Sequence, residues 1–290
     1  MEKKKIDLDG KSWTKYSISV WDVIKTKDEG RLKHPAMFPH ELCQRLIRIY
    51  THPGDTVLDP FMGSGSTIVA ARTLARNGIG FELNKDYVDL AKRRLHHAKW
   101  GSHIQDTTSQ QNLLNIGNDT PSSKKELPKS KEADIHMEDC MNVDKIVKHG
   151  SVKLIVTSPP YWDILNQKRT ADYKEIRNYS NGESDHLDFG NIDDYGEFIT
   201  KLGDLFEKCG KVLKVNGHCC IVVMDLRKKD QFFPFHSDLA DEMKKRGYKF
   251  EDIIIWNRMM EYNNLRALGY PYVFRVNKIH EYILIFKKVK

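Results

Sequence analysis

The stretch Asp55–Thr67, DTVLDPFMGSGST, decides the fold. A short apolar strand ends at Asp59, and a turn containing Gly63 and Gly65 hands the chain to a helix beginning at Thr67. Glycines at such a turn let the backbone approach a ligand closely, and a helix N-terminus presents unpaired N–H groups. A Gly-x-Gly after a strand is weak evidence by itself. No Gly-Lys-Ser/Thr follows, so this is not a phosphate loop, and the third glycine of the dinucleotide fingerprint is missing.

Immediately beyond the helix, Gly78–Leu83 (GIGFEL) forms the next strand and closes on Glu82. An acid at that strand end can take both hydroxyls of a ribose; the plain alternative is a solvated carboxylate. Asp59 together with Glu82 suits a cofactor with an amino group and a ribose but no phosphate, a description that S-adenosylmethionine fits.

Working outward, apolar runs at Thr56–Asp59, Ile79–Leu83, Ala133–Met137, Leu154–Ser158, His218–Met224, Phe250–Trp256 and Glu281–Phe286 read as strands. Between them, His40–Tyr50, Thr67–Asn77, Lys85–His97, Met141–Lys148, Ile192–Leu213 and Ser237–Arg246 carry helical spacing. Short apolar strands alternating with helices predict an α/β fold with a mostly parallel sheet covered on both faces. No helix is evident in Asn257–Lys278, so the last strand is the one expected to run antiparallel. Gly101–Lys131, polar and without periodicity, reads as a flexible insertion. Trp162–Asn191 is polar yet carries Trp162, Tyr173, Tyr179, Phe189, Arg169 and Arg177; a loop this long within a domain is usually functional or disordered.

Composition narrows the classes further. The 290 residues are 40% apolar and 30% charged with a net charge of +7, and the mean hydropathy is −0.58, as for a soluble protein with a substantial core. The basic surplus permits a polyanionic partner without requiring one. No apolar run approaches a membrane span, and the basic start MEKKKIDLDGK has no apolar segment behind it, so neither membrane nor secretory character is expected. Cys43, Cys140, Cys209, Cys219 and Cys220 lack zinc-site spacing. They read as buried reduced thiols in a cytoplasmic protein, and no metal site is expected.

The second decisive stretch is Lys153–Asp163, KLIVTSPPYWD. A strand ends at Ser158, and Pro159 and Pro160 then fix the backbone and leave carbonyls without competing N–H donors. A rigid turn offering a hydroxyl, a carbonyl and an aromatic face, at the carboxyl edge of a parallel sheet, suits a planar base held by its exocyclic amine.

Together, TSPPYW and DPFMGSGST resemble the amino-methyltransferases that act on exocyclic amines of nucleic-acid bases. The Ser-Pro-Pro-Tyr tetrapeptide is similar to that of the N4-cytosine DNA enzymes of restriction-modification systems, whereas N6-adenine enzymes more often carry Asp or Asn first. His34–Pro39 (HPAMFP), preceded by Ser17–Ile24 (SISVWDVI), resembles the family's N-terminal cofactor motif, and Asn277–Lys288 (NKIHEYILIFKK) its last core strand. The resemblance covers most of the chain apart from roughly 100–132. It implies a Rossmann-like, seven-stranded methyltransferase fold over residues 1–290, with S-adenosylmethionine as cofactor.

By the same resemblance, Ser158, Pro159, Pro160 and Tyr161 form the catalytic turn. His34, Pro35, Phe38, Pro39, Asp59, Pro60, Phe61, Gly63, Ser64, Gly65, Glu82, Leu83 and Asp139 surround the cofactor. Phe81 and Leu83 serve equally well as core residues, as does Trp21. The cofactor motif precedes the catalytic motif, a permutation of the subgroup's commonest order. No separate recognition domain is visible, so DNA recognition falls to 162–191 and 257–278, through Trp162, Arg169, Arg258, Arg266 and Arg275, to a specificity partner, or to a second copy. An RNA base and adenine N6 are the alternative substrates within the enzyme class. A degenerate methyltransferase fold serving as a scaffold is the alternative outside it, against which the intact motifs count.

Overall fold

A computed structural model describes residues 6, 8–31, 37–103, 133–162, 189–261, 265 and 267–289. The chain runs α1 (Gly10–Tyr16), β1 (Val20–Trp21), α2 (Lys27–Arg31), α3 (His40–Tyr50), β2 (Thr56–Asp59), α4 (Ser66–Thr73), β3 (Asn77–Phe81), α5 (Lys85–His97) and β4 (Asp134–His136). After a 3-10 turn at Cys140–Asn142 come α6 (Val143–Ile146), β5 (Val152–Thr157), α7 (Tyr195–Val212), β6 (Leu213–Val223), β7 (Leu226–Lys228), β8 (Gln231–Phe233), α8 (Phe235–Lys245), β9 (Tyr248–Asn257) and β10 (His280–Lys288). His34, Pro35, Arg169, Arg266, nearly all of 101–131 and residues 163–188 of the 162–191 loop lie outside the described residues.

The main sheet has the order β1-β9-β10-β6-β5-β2-β3-β4. Its pairs are parallel except where β10 meets β6 and β9, so a single strand runs against the rest, as expected. The sheet has eight strands among the described residues, not the seven expected. The addition is β1, a two-residue strand pairing Val20 with Ile255 and Trp21 with Trp256. It is too short to show as an apolar run, and it lies in the SISVWDVI segment that resembles the family's N-terminal motif.

Two cores flank the sheet. On one face, α7 and α8 bury Phe198, Leu202, Phe206, Leu239 and Met243 against Ile155, Ile221, Leu284 and Phe286. On the other, α3 and α4 bury Leu42, Leu46, Ile47, Ala70 and Ala71 against Val57, Val156, Ile283 and Trp21, which makes Trp21 a core residue. Each such leucine or isoleucine contributes about 1.5–3 kcal/mol of transfer free energy. Caps fix the helix starts: Asn84 accepts from the N–H groups of Asp86 and Tyr87 at the head of α5, and Asp194 from that of Glu197 in α7. Because β10 is antiparallel, its first residues, His280 and Glu281, sit at the same edge as the carboxyl ends of β2, β3, β4, β5 and β6. That edge gathers the candidate site.

Candidate active site

The glycine turn is built by close packing. Gly63 and Gly65 have φ of 51° and 82°, left-handed values that favour glycine. A Cβ on Gly65 would stand 2.8 Å from the Ala91 Cβ of α5, so the turn is pressed onto that helix. The Met62 N–H donates to the Phe81 carbonyl at 2.9 Å, and the Gly63 N–H donates to Glu82 Oε2 at 2.9 Å. The other carboxylate oxygen of Glu82 accepts from the Asn84 N–H at 2.8 Å. Glu82 thus joins the turn after β2 to the head of α5. Arg94, which sequence reasoning passed over as one more helical arginine, donates to the Ser64 carbonyl at 2.6 Å and to Ser64 Oγ at 3.1 Å, closing the turn from outside.

Asp59 lies beneath this turn and not at its surface. It is 1% exposed, and Oδ1 accepts from the Phe61 N–H at 3.1 Å and from the Thr157 hydroxyl at 2.7 Å. So covered, Asp59, expected at the cofactor, is placed as a brace that stitches the end of β2 to the end of β5. Burial pushes its pKa up from 3.8 to about 6, against the hydrogen bonds that lower it. For an acid with a raised folded pKa, the folded state holds the proton more tightly, so stability falls as pH rises between the two values. The Asp59→Asn variant keeps an acceptor for both donors without the charge. It is expected to lose that pH dependence between about 4 and 6 and to exceed the wild type at pH 8 by roughly 1–3 kcal/mol, measured by urea unfolding.

The residues expected around the cofactor divide into two layers. Phe61, Gly63, Glu82, Leu83 and Asp139 are half-buried and line the edge, whereas Phe38, Pro39, Pro60, Ser64 and Gly65 are buried behind them. Phe38 packs in the α3 core, and the Pro39 carbonyl accepts from the Leu42 N–H at the head of α3. Phe81 is fully buried, stacked on His136, and belongs to the core. Asp139 caps the turn after β4, accepting from the Met141 N–H at 2.9 Å; β4 lies beside β3, and the Glu82 N–H donates to the His136 carbonyl. Two carboxylates at adjacent strand ends, with a glycine turn between β2 and α4, form a donor and acceptor set that fits a nucleoside carrying an amino acid.

The proline turn follows β5 directly. Ser158, Pro160 and Tyr161 are half-buried at the edge and Pro159 is buried. The Ser158 hydroxyl donates to Tyr161 Oη at 3.5 Å, and Tyr161 donates to Glu281 Oε2 at 2.8 Å. Burial and the Glu281 charge together hold the Tyr161 hydroxyl well above the usual tyrosine range, so it keeps its proton.

Two residues expected to contact nucleic acid are held by partners within the protein. Trp162 is 4% exposed, with ring centroids 5.3 Å from Tyr195 and 5.0 Å from Phe233 and the Lys228 ammonium over its face. It packs into the core behind the turn. Arg258 is bound by Glu261 at 2.7 Å and by Glu281, with its guanidinium 4.8 Å over Trp256, so its charge is spent inside the protein. Arg275 is half-buried, and Tyr270, Tyr272 and Phe274 around it are 80%, 91% and 92% exposed. Glu281 and Thr157 read as ordinary strand residues in the sequence because their partners, Tyr161 and Arg258 for the first and Asp59 for the second, lie on other segments of the chain.

The N6/N4 methyltransferase family model, described as a DNA methylase, matches residues 1–93 and 152–290. Among curated relatives, the type II methyltransferase M.HpaI of Haemophilus parainfluenzae is 39% identical over 79 residues, 27% of this chain and 25% of that protein. M.MthZI of Methanothermobacter thermautotrophicus is 47% identical over 64 residues, 22% and 18% of the respective chains. M2.DpnII of Streptococcus pneumoniae is 46% identical over 78 residues, 26% and 29%. The chain thus aligns with less than a third of each of these relatives. Among solved structures, a DNA modification methylase of Thermus thermophilus complexed with S-adenosyl-L-methionine is 26% identical with a TM-score of 0.37, covering 52% of this chain and 54% of that one. The expected cofactor is that of the family, and with its model matched across both motifs and most of the residues between them and the C-terminus, the chain belongs to the N6/N4 DNA methyltransferases.

Proposed function

We propose that the chain transfers a methyl group from S-adenosylmethionine to the exocyclic N4 amine of cytosine in DNA. The observation that carries this is the Ser158–Tyr161 turn at the end of β5, tied through Thr157 and Asp59 to the glycine turn at the end of β2. Ser at the first position of the tetrapeptide supports cytosine over adenine.

An exocyclic amine is a poor nucleophile because its lone pair is delocalised into the ring. Acceptors aimed at both N–H hydrogens let the nitrogen turn tetrahedral and localise that pair where charge develops. The Ser158 hydroxyl and the Pro159 carbonyl are those acceptors, and the Tyr161 ring stacks on the base once it has left the duplex. S-adenosylmethionine supplies an electrophilic methyl group on sulfur. Glu82 and Asp139 hold its nucleoside, and Phe61 and the Gly63 backbone face its amino acid. No covalent enzyme intermediate is needed, consistent with the five buried cysteines taking no part.

DNA contact is assigned to the edge beyond β9, where Tyr272 and Phe274 stand clear of the surface near Arg275. Exposed aromatics beside a basic residue suit stacking and backbone contact. The chain acts as one methyltransferase domain, with 101–131 an insertion at the gap between the two matched segments, and its compartment is the prokaryotic cytoplasm. A specificity partner or a second copy adds to recognition by these residues.

Incubation with labelled S-adenosylmethionine and DNA, followed by digestion to nucleosides and mass spectrometry, is expected to yield N4-methylcytosine. N6-methyladenine alone would overturn the base assignment and leave the transfer chemistry standing; label in RNA alone would overturn the substrate. The Glu82→Ala variant should bind S-adenosylmethionine about 1–3 kcal/mol more weakly, the scale of a lost charge-assisted hydrogen bond. An unchanged calorimetric Kd removes Glu82 from the site.

A further inference from the structure

Glu281 is 4% exposed, and its two oxygens have different partners: Oε2 accepts from Tyr161 Oη at 2.8 Å, and Oε1 faces the Arg258 guanidinium. Arg258 is itself fixed from three sides. Glu261 accepts from its Nη2 and Nε at 2.7 and 3.1 Å, Trp256 lies under its plane, and its backbone N–H donates to the Ile279 carbonyl at 2.8 Å. Both residues sit at the site edge, Arg258 just past β9 and Glu281 within β10, where Glu281 is in register with Trp256. A buried carboxylate is tolerated when a fixed cation and hydrogen bonds compensate it.

We infer that Glu281, clamped by Arg258, is a positioning residue that sets the direction of the hydrogen bonds running through Tyr161 to Ser158, so that the Ser158 oxygen meets the substrate amine as an acceptor. The inference rests on the amine-transfer reading. An ionised carboxylate only accepts, and arginine only donates. Tyr161 must therefore give its single proton to Glu281, which leaves its oxygen to receive the Ser158 proton at 3.5 Å. With that proton committed inward, Ser158 has two lone pairs and no hydrogen to turn toward an incoming N–H. If Tyr161 instead donated to Ser158, the serine proton would be free to point at the amine and oppose it. The raised pKa of the Tyr161 hydroxyl keeps the proton that this chain requires. Neither Glu281 nor Arg258 touches the reacting atoms.

The test is a cycle of Tyr161→Phe, Glu281→Gln and the double variant, on the full chain with S-adenosylmethionine and DNA. Each single variant is expected to lower kcat about tenfold, the loss of one oriented hydrogen bond, with the KM for DNA and the Kd for the cofactor within about twofold of wild type. The double variant is expected to be no slower than the slower single, because both break the same chain of bonds. A merely structural glutamate gives losses that multiply toward a hundredfold, and that result overturns the proposal, as does wild-type kcat in Glu281→Gln. If Glu281→Gln fails to fold, Tyr161→Phe decides alone, since a full rate in a variant that keeps the ring and lacks the hydroxyl overturns the proposal and a tenfold loss supports it. A wild-type chain that methylates no DNA overturns the proposed function and this inference together; an active wild type with an indifferent cycle overturns the inference only.

Discussion

Tyr161→Ala is expected to remove nearly all turnover while leaving S-adenosylmethionine affinity within about twofold of wild type. On the proposed reading the ring stacks on the base, and loss of one base–aromatic stack costs about 1–3 kcal/mol in binding. Truncation also frees the amine to move relative to the methyl group, and an error of an ångström in such a geometry costs about a hundredfold in rate. Together these lower kcat/KM by roughly a thousandfold or more. The residues proposed to hold the cofactor lie on the turn after β2 and at the ends of β3 and β4, and none of their hydrogen bonds involves the Tyr161 ring. Tyr161 also packs against the α7 core, so calorimetric cofactor binding serves as the check that the fold survives. Full activity in this variant on every nucleic acid that wild type modifies would sink the site assignment.

The fold was legible where local signals agreed with tertiary packing. The helices at His40–Tyr50 and Lys85–His97 end where the sequence periodicity ends, because each has one apolar stripe and a clear start, the second with an asparagine cap. The hairpin of β7 and β8 was not legible. Its two-residue turn, Lys229–Asp230, carries none of the Asn-Gly or Gly-Gly chemistry that marks such turns, and Lys229 takes φ of 56° on its own. The early start of β6 was hidden for a similar reason: Asn216, with φ of 60°, and Gly217 interrupt the apolar pattern within the strand.

The candidate site was legible as motifs but not as layers. Residue type and spacing placed Asp59, Glu82, Ser158 and Tyr161 at one sheet edge. They did not separate Asp59, whose oxygen is spent on Thr157, from Glu82, which stands at the surface of the turn. Nor did they separate a basic residue free to meet phosphate from one like Arg258, bound by two carboxylates contributed by different elements. Lys278 belongs with Arg258: its ammonium donates to the Asp225 carbonyl at 2.7 Å and lies over Phe232. Burial of charge depends on where the chain places its partners, and composition carries no record of that.

Ser158→Ala tests the chemistry with the smallest change in shape. On the proposed reading the variant removes one acceptor from the amine and leaves the Pro159 carbonyl in place. The expected loss is about 2–4 kcal/mol of transition-state stabilisation, the scale on which a preorganised polar group stabilises developing charge, or roughly 30- to 1000-fold in kcat. Because this interaction strengthens only as the nitrogen becomes tetrahedral, kcat and kcat/KM should fall by the same factor and the KM for DNA should hardly move. Folding should be nearly unaffected, since Ser158 is half-buried and alanine keeps the shape of the turn. Steady-state kinetics at saturating S-adenosylmethionine separates the outcomes. A raised KM with unchanged kcat would make Ser158 a binding residue only, and an unchanged kcat/KM would remove it from the reaction and leave the Pro159 carbonyl as the sole acceptor on this turn.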